Sequence, residues 1–135
     1  MLLDGAHNSA GAAALRDYLD GTHNLQNIPI TLVFGAMADK QLAEMAKTLF
    51  PIASRLIITE PHNPRASNVE TLRQLAEKYA PEVSAEVTAS SDVAMLRALS
   101  FTGPQPVICV TGSLYLVGEV RQWLDEHFGP TGRFS

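Results

Sequence analysis

Apolar residues come in five short runs, with helix-spaced stretches between them. The chain opens on Met1-Leu2-Leu3; residues 30–34, 55–59, 84–88 and 106–110 follow. The second, third and fifth runs are rich in β-branched residues and nearly free of polar alternation, which predicts strands buried on both faces. Residues 84–88 alternate more and predict a weaker strand at a sheet edge. Between the runs, apolar residues recur every three or four positions, the spacing of one helix face. Ala14, Leu15, Tyr18 and Leu19 predict a helix over about 10–19, ended by Asp20-Gly21. Leu42, Met45, Ala46, Leu49 and Phe50 predict a second, stopped by Pro51. Leu72, Leu75, Ala76 and Tyr79 predict a third, stopped by Pro81, with Ser67 and Glu70 at capping-box spacing before it. Val93, Leu96 and Leu99 predict a fourth, and Val117, Val120, Trp123 and Leu124 a fifth.

Strand and helix therefore alternate about five times. Connections of this kind need parallel strands joined by right-handed crossovers. The expected architecture is an α/β, doubly wound, mostly parallel sheet, as one domain over residues 1–128. Residues 129–135, with Pro130 and Gly132, are expected to form a flexible tail.

Composition narrows the function. A chain of 135 residues with 46% hydrophobic and 18% charged residues holds one ordinary core. A net charge of −4 with scattered Lys and Arg leaves no basic face, which argues against a nucleic-acid partner. No apolar run reaches the ~18 residues of a bilayer span, and no leader peptide is visible, so no membrane partner is expected. Cys109 is the only cysteine. It lies in an apolar run, which predicts a buried thiol rather than a nucleophile and points to a cytoplasmic setting.

Ligands of open α/β sheets bind beyond the carboxyl ends of the strands. Four of those ends carry polar loops here. The first is Asp4-Gly5-Ala6-His7-Asn8-Ser9, where Asp4 either takes hydrogen bonds from a ligand hydroxyl or fixes the turn. His7 either meets a nucleotide or is simply exposed, and Asn8 or Ser9 caps the helix. The second is Phe34-Gly35-Ala36-Met37-Ala38-Asp39-Lys40, with a tight glycine turn and a mobile lysine cation. The third, Thr59-Glu60-Pro61-His62-Asn63-Pro64-Arg65-Ala66-Ser67, is stiffened by two prolines and offers Arg65 to a carboxylate or phosphate. In the fourth, Thr111-Gly112-Ser113, Ser113 is an N-cap, an anion-site hydroxyl, or both. His7, His23, His62 and His127 show no metal-ligand spacing, so no metal residue is expected. Neither G-x-G-x-x-G nor G-x-x-x-x-G-K-[ST] occurs, so this chain does not hold a triphosphate in either familiar way.

The loops DGAHN, FGAMADK and TEPHNPRA, followed by TGSLYLVGE, closely resemble the C-terminal domain of the folylpolyglutamate synthase/dihydrofolate synthase branch of the Mur ligase family. The resemblance covers essentially the whole chain. It implies a Rossmann-like domain that closes over ATP, beside an N-terminal P-loop ATPase domain not present in this sequence. In such ligases ATP phosphorylates a carboxylate of the folate substrate, and the amine of L-glutamate attacks the acyl phosphate. Carried over by position, Asp4 and His7 contact ATP, while Lys40, Ser113 and Arg65 face glutamate. Mg2+ is implied too, with its ligands in the N-terminal domain, and no catalytic residue is expected here. The isolated domain is expected to be inactive. DGAHNS departs from the commoner DGAHNP at Ser9; a proline there would suit a helix's first position, and Ser9 can cap the helix instead, which leaves the site intact. Two other readings are a stand-alone α/β nucleotide- or metabolite-binding module and the C-terminal domain of a peptidoglycan-precursor ligase.

Overall fold

The continuous apolar runs become the interior of a parallel sheet. The computed structural model describes residues 1–22, 28–100 and 106–129. Its elements are β1 (Leu2–Leu3), α1 (Ser9–Thr22), β2 (Ile30–Phe34), α2 (Leu42–Leu49), β3 (Arg55–Ile58), α3 (Val69–Tyr79), β4 (Ser84–Val87), α4 (Ser91–Leu99), β5 (Val107–Thr111) and α5 (Leu114–Phe128). The strands lie in the order β1-β5-β2-β3-β4 and every neighbouring pair is parallel. Central β2 is buried along its whole length. Its side chains alternate between two cores. Leu32 and Phe34 join α1, α2 and α3 on one side; Val33 joins α4 and α5 on the other. The expected doubly wound α/β sheet is thus the observed one, and β4 lies at an edge as expected. Strands β3 and β4 end one residue before the expected runs do, and β5 begins and ends one residue later.

Four details differ. Helix α1 runs through Gly21 to Thr22 rather than stopping at Asp20-Gly21. Glycine ends a helix when it turns left-handed, and Gly21 does not. The buried face of α1 is Ala12, Leu15 and Leu19, with Ala14 and Tyr18 exposed. Likewise α4 buries Ala94, Met95 and Ala98, while Val93 and Leu96 face outward and Leu99 packs partly. Two alanines let this helix approach the sheet more closely than a Val/Leu stripe would allow. Finally, α3 is capped by Asn68, whose Oδ1 accepts from Thr71 N at 2.8 Å, one residue after the expected Ser67. Ser67 is buried and its hydroxyl donates to Asn68 O. His23 and residues 130–135, the bulk of the expected tail, lie outside the described residues.

A charge cluster holds the exposed edge strand. Glu86 on β4 accepts from Arg55 of β3 and, at 2.9 Å, from Arg97 of α4. Burial pushes the Glu86 carboxyl up, but the hydrogen bonds from Arg55 and Arg97 outweigh it and hold the group below its ordinary 4.5. A carboxyl depressed in the folded state stabilises above its unfolded pKa, and that contribution is lost as pH falls through the folded value. Unfolding free energy should therefore decline more steeply below pH 4.5 in the natural chain than in Glu86→Gln. Urea melts between pH 7 and 2 measure this, and parallel curves for the two chains would contradict it.

Candidate functional site

Because all strands are parallel, the four polar loops emerge on one edge. The first is pinned locally. Asp4 N donates to Val110 O at 2.9 Å, extending the β1–β5 ladder, and Asp4 Oδ1 accepts from Ala6 N at 2.9 Å, closing a tight turn. His7 Nδ1 lies 2.9 Å from Gly5 O. A carbonyl only accepts, so Nδ1 carries the proton and Nε2 of the neutral ring is the acceptor left for a ligand. Asn8 Oδ1 accepts from Gly11 N and caps α1, one of the two alternatives open from sequence.

Close backbone packing defines the floor. A Cβ on Gly35 would lie 2.7 Å from Thr59 O, and one on Gly112 would lie 2.5 Å from Gly35 O. Gly112 also has φ +114°, a conformation that disfavours any side chain. The ends of β2, β3 and β5 therefore touch backbone to backbone. The second and third loops are joined above this floor: Ala38 N donates to Arg65 O at 2.7 Å and Ser67 N to Ala36 O at 2.8 Å. Within the third loop Asn63 Oδ1 accepts from Arg65 N, and Glu119 of α5 accepts from His62 N at 2.6 Å. The prolines are thus part of a loop held from both sides.

Between these loops is a cavity of about 230 Å3 lined by His7, residues 36–39, Met45, Arg65 and Gly112. It draws on all four loops. Its wall is largely apolar, with one imidazole, one carboxylate and one guanidinium. The carboxylate, Asp39, accepts from Gln41 N at 2.7 Å. Arg65 is exposed and makes no ion pair among the described residues. An apolar pocket with a few convergent polar groups is the usual form of a small-ligand site. A wider, shallower hollow of about 390 Å3 lies between α4, α5 and His62, edged by Asp92, Glu119 and Glu126.

Of the residues expected at a site, the structure brings His7 and Arg65 to one cavity. Asp4 does not line it; its carboxylate serves the turn. Lys40 follows the lining stretch and is exposed. Ser113 is buried, and its Oγ accepts from Leu116 N at 3.0 Å as the N-cap of α5. Sequence reasoning missed Gln41 and Glu119. Both act across loops, so only the departure from proline at Ser9 hinted at the first.

Among the described residues, no three His, Cys, Asp or Glu side chains stand together as a metal site. The residues present do not fit the implied Mg2+, and no step is assigned to it. Cys109 is buried in β5; burial, then the Asp4 charge, pushes its thiol up to about 12. It is a thiol, not a thiolate, at neutral pH. Among the described residues, no helix is long and apolar enough to cross a membrane.

Residues 1–124 match the family described as dihydrofolate synthetase, C-terminal domain. The chain is 34% identical over 125 residues to folylpolyglutamate synthase of Lacticaseibacillus casei, covering 92% of this chain and 27% of that protein. It is also similar to the crystal structure of folylpolyglutamate synthase from Thermotoga maritima, with TM-score 0.74 and 32% identity over 96% of this chain and 28% of that one. A third likeness is to the bifunctional folylpolyglutamate synthase/dihydrofolate synthase of Yersinia pestis, solved with AMPPNP and a Mn ion. There the TM-score is 0.73 and the identity 27%, over 90% of this chain and 28% of that one. The chain spans about a quarter of the length of the curated relative.

Proposed function

The chain belongs to the family of dihydrofolate synthetase C-terminal domains, and from that membership we propose that it is the closing domain of an ATP-dependent ligase. The ligase adds L-glutamate to dihydropteroate, to folate, or to both, in the cytoplasm. In the reaction an oxygen of the substrate carboxylate attacks the terminal phosphorus of ATP and ADP leaves. The glutamate nitrogen then attacks the acyl carbon, phosphate leaves with the bonding pair, and the amine gives up its proton. The P-loop, the folate pocket and the Mg2+ ligands belong to an N-terminal domain of the same enzyme. This domain's part is to hold charged ligands at the strand-end cavity.

One observation carries the reading. His7 and Arg65, 58 residues apart in sequence, line one cavity built from the four loops. The Arg65 guanidinium is shaped for two-pronged pairing with a carboxylate or phosphate. His7 offers Nε2 as an acceptor to a hydroxyl or ammonium. We assign Asp4 and His7 to ATP and Lys40, Ser113 and Arg65 to glutamate. In this arrangement Asp4 and Ser113 act mainly by fixing the turns that bear the ligand-facing groups.

Titration of the 135-residue chain with ATP and with glutamate, followed by amide NMR, tests the assignment. Shifts at His7, residues 36–39 and Arg65 are expected. Arg65→Ala should weaken the glutamate response by roughly 10- to 100-fold, the value of a charge-assisted pair. Silent resonances at millimolar ligand would remove the site. Glutamate- and folate-dependent ADP release by this chain alone would contradict the assignment of the phosphoryl chemistry to another domain.

A further inference from the structure

Gln41 holds the first turn of α2 but does not cap it. Its backbone stands at the N-cap position and its side chain makes no bond to its own helix. Its Oε1 instead accepts from Ser9 N at 2.8 Å and from Ser9 Oγ at 2.9 Å, across 32 residues. Ser9 N is one of the α1 amides that no helical carbonyl can satisfy. The same Gln41 is held from behind, because its N donates to Asp39 Oδ1. Ser9 ends the loop that carries His7 and begins α1, and Gln41 directly follows the loop that carries Ala36, Met37, Ala38 and Asp39. Both loops line the cavity.

We infer that Gln41 is a positioning residue that sets the spacing between the His7 wall and the Asp39 wall of the cavity through its paired bonds to Ser9. The inference rests on the reading of that cavity as a ligand site. A proline at position 9 would supply neither the N–H nor the hydroxyl.

The test compares the natural chain with Gln41→Ala, Gln41→Glu and the double variant Ser9→Pro/Gln41→Ala, by amide exchange, amide resonances, thermal melting and titration with ADP. Gln41→Ala should speed exchange of the Ser9 amide about tenfold, as an opened local bond does. It should also shift the His7 and 36–40 resonances together and weaken the response to ADP. Gln41→Glu keeps the acceptor oxygen and should restore all of these. The double variant leaves no orphan amide, so its melting temperature should recover while the loop shifts and weakened ADP response persist. Full return of loop resonances in the double variant would reduce Gln41 to a cap and overturn the inference, as would unchanged resonances in Gln41→Ala. If the natural chain ignores ADP, the cavity reading fails, while the ligand-free resonances still decide the role of Gln41.

Discussion

An alanine at Gly112 is expected to lower the unfolding free energy by about 4 kcal/mol and to spoil the cavity at the same time. Two costs add. The φ of +114° is one that a side-chain-bearing residue occupies only at a strain of about 1–3 kcal/mol. The new Cβ would lie 2.5 Å from Gly35 O and 3.0 Å from Gly35 C, so backbone must move, and overpacking of this kind costs another 1–3 kcal/mol or so. Gly35 itself sits close against the third loop, since a Cβ there would lie 2.7 Å from Thr59 O and 3.0 Å from Pro61 Cδ, which leaves its backbone little room to give. For a domain of this size the loss corresponds to a melting temperature lower by roughly 10–15 °C. Urea and thermal melts measure it, and a loss below about 1 kcal/mol would show that the ends of β5 and β2 do not touch backbone to backbone. Since Gly112 lines the cavity, whatever shift accommodates the alanine also moves the β2 loop.

The second large effect is at Phe34. Its side chain is fully buried at the carboxyl end of β2 and meets the equally buried Phe50 ring edge to face, centroids 5.0 Å apart at 87°. Phe34→Ala should cost about 3–5 kcal/mol, the transfer of the ring plus the hole it leaves. Phe34→Leu fills most of that hole and should cost about 1–2 kcal/mol. Denaturant melts of the two variants separate the contributions; equal losses would mean that the ring edge, not the volume, carries the contact. Phe34 stands directly before Gly35. A hole there loosens the support of the ligand-facing loop, so Phe34→Ala should also broaden the amide resonances of residues 36–40.

Much of this molecule was legible in order. Strand runs at 30–34, 55–59 and 106–110 were readable because both faces of a parallel strand are buried, which leaves no polar alternation to mislead. The four loops were readable as one edge because parallel strands share an end. The faces of α1 and α4 were not readable. In both, two apolar stripes compete, and a periodicity argument has no measure of how close a helix sits to its sheet. At α4 the smaller stripe, Ala94 with Ala98, is buried and Leu96 is left in solvent. The cap of α3 moved by one residue because Ser67 is drawn into a hydrogen bond between loops, Ser67 N to Ala36 O.

Within the site, the amino-acid sequence by itself determined which chemistry is present: an imidazole, a guanidinium, a lysine and a serine-capped helix, each at the end of a strand. Only the tertiary structure decided which of these meet. His7 and Arg65 line one cavity because the second and third loops are joined by backbone bonds that bring Arg65 beside residues 36–39. Asp4 and Ser113 turn their oxygens to their own backbones because the turn and the helix start leave amides there that must be satisfied. The spacing between walls comes from Gln41 and Ser9, a contact between residues 32 apart. Local periodicity decides what each segment becomes. Which loop side chains share a space depends on bonds between segments distant in the chain, and those exist only once the sheet has brought its ends together.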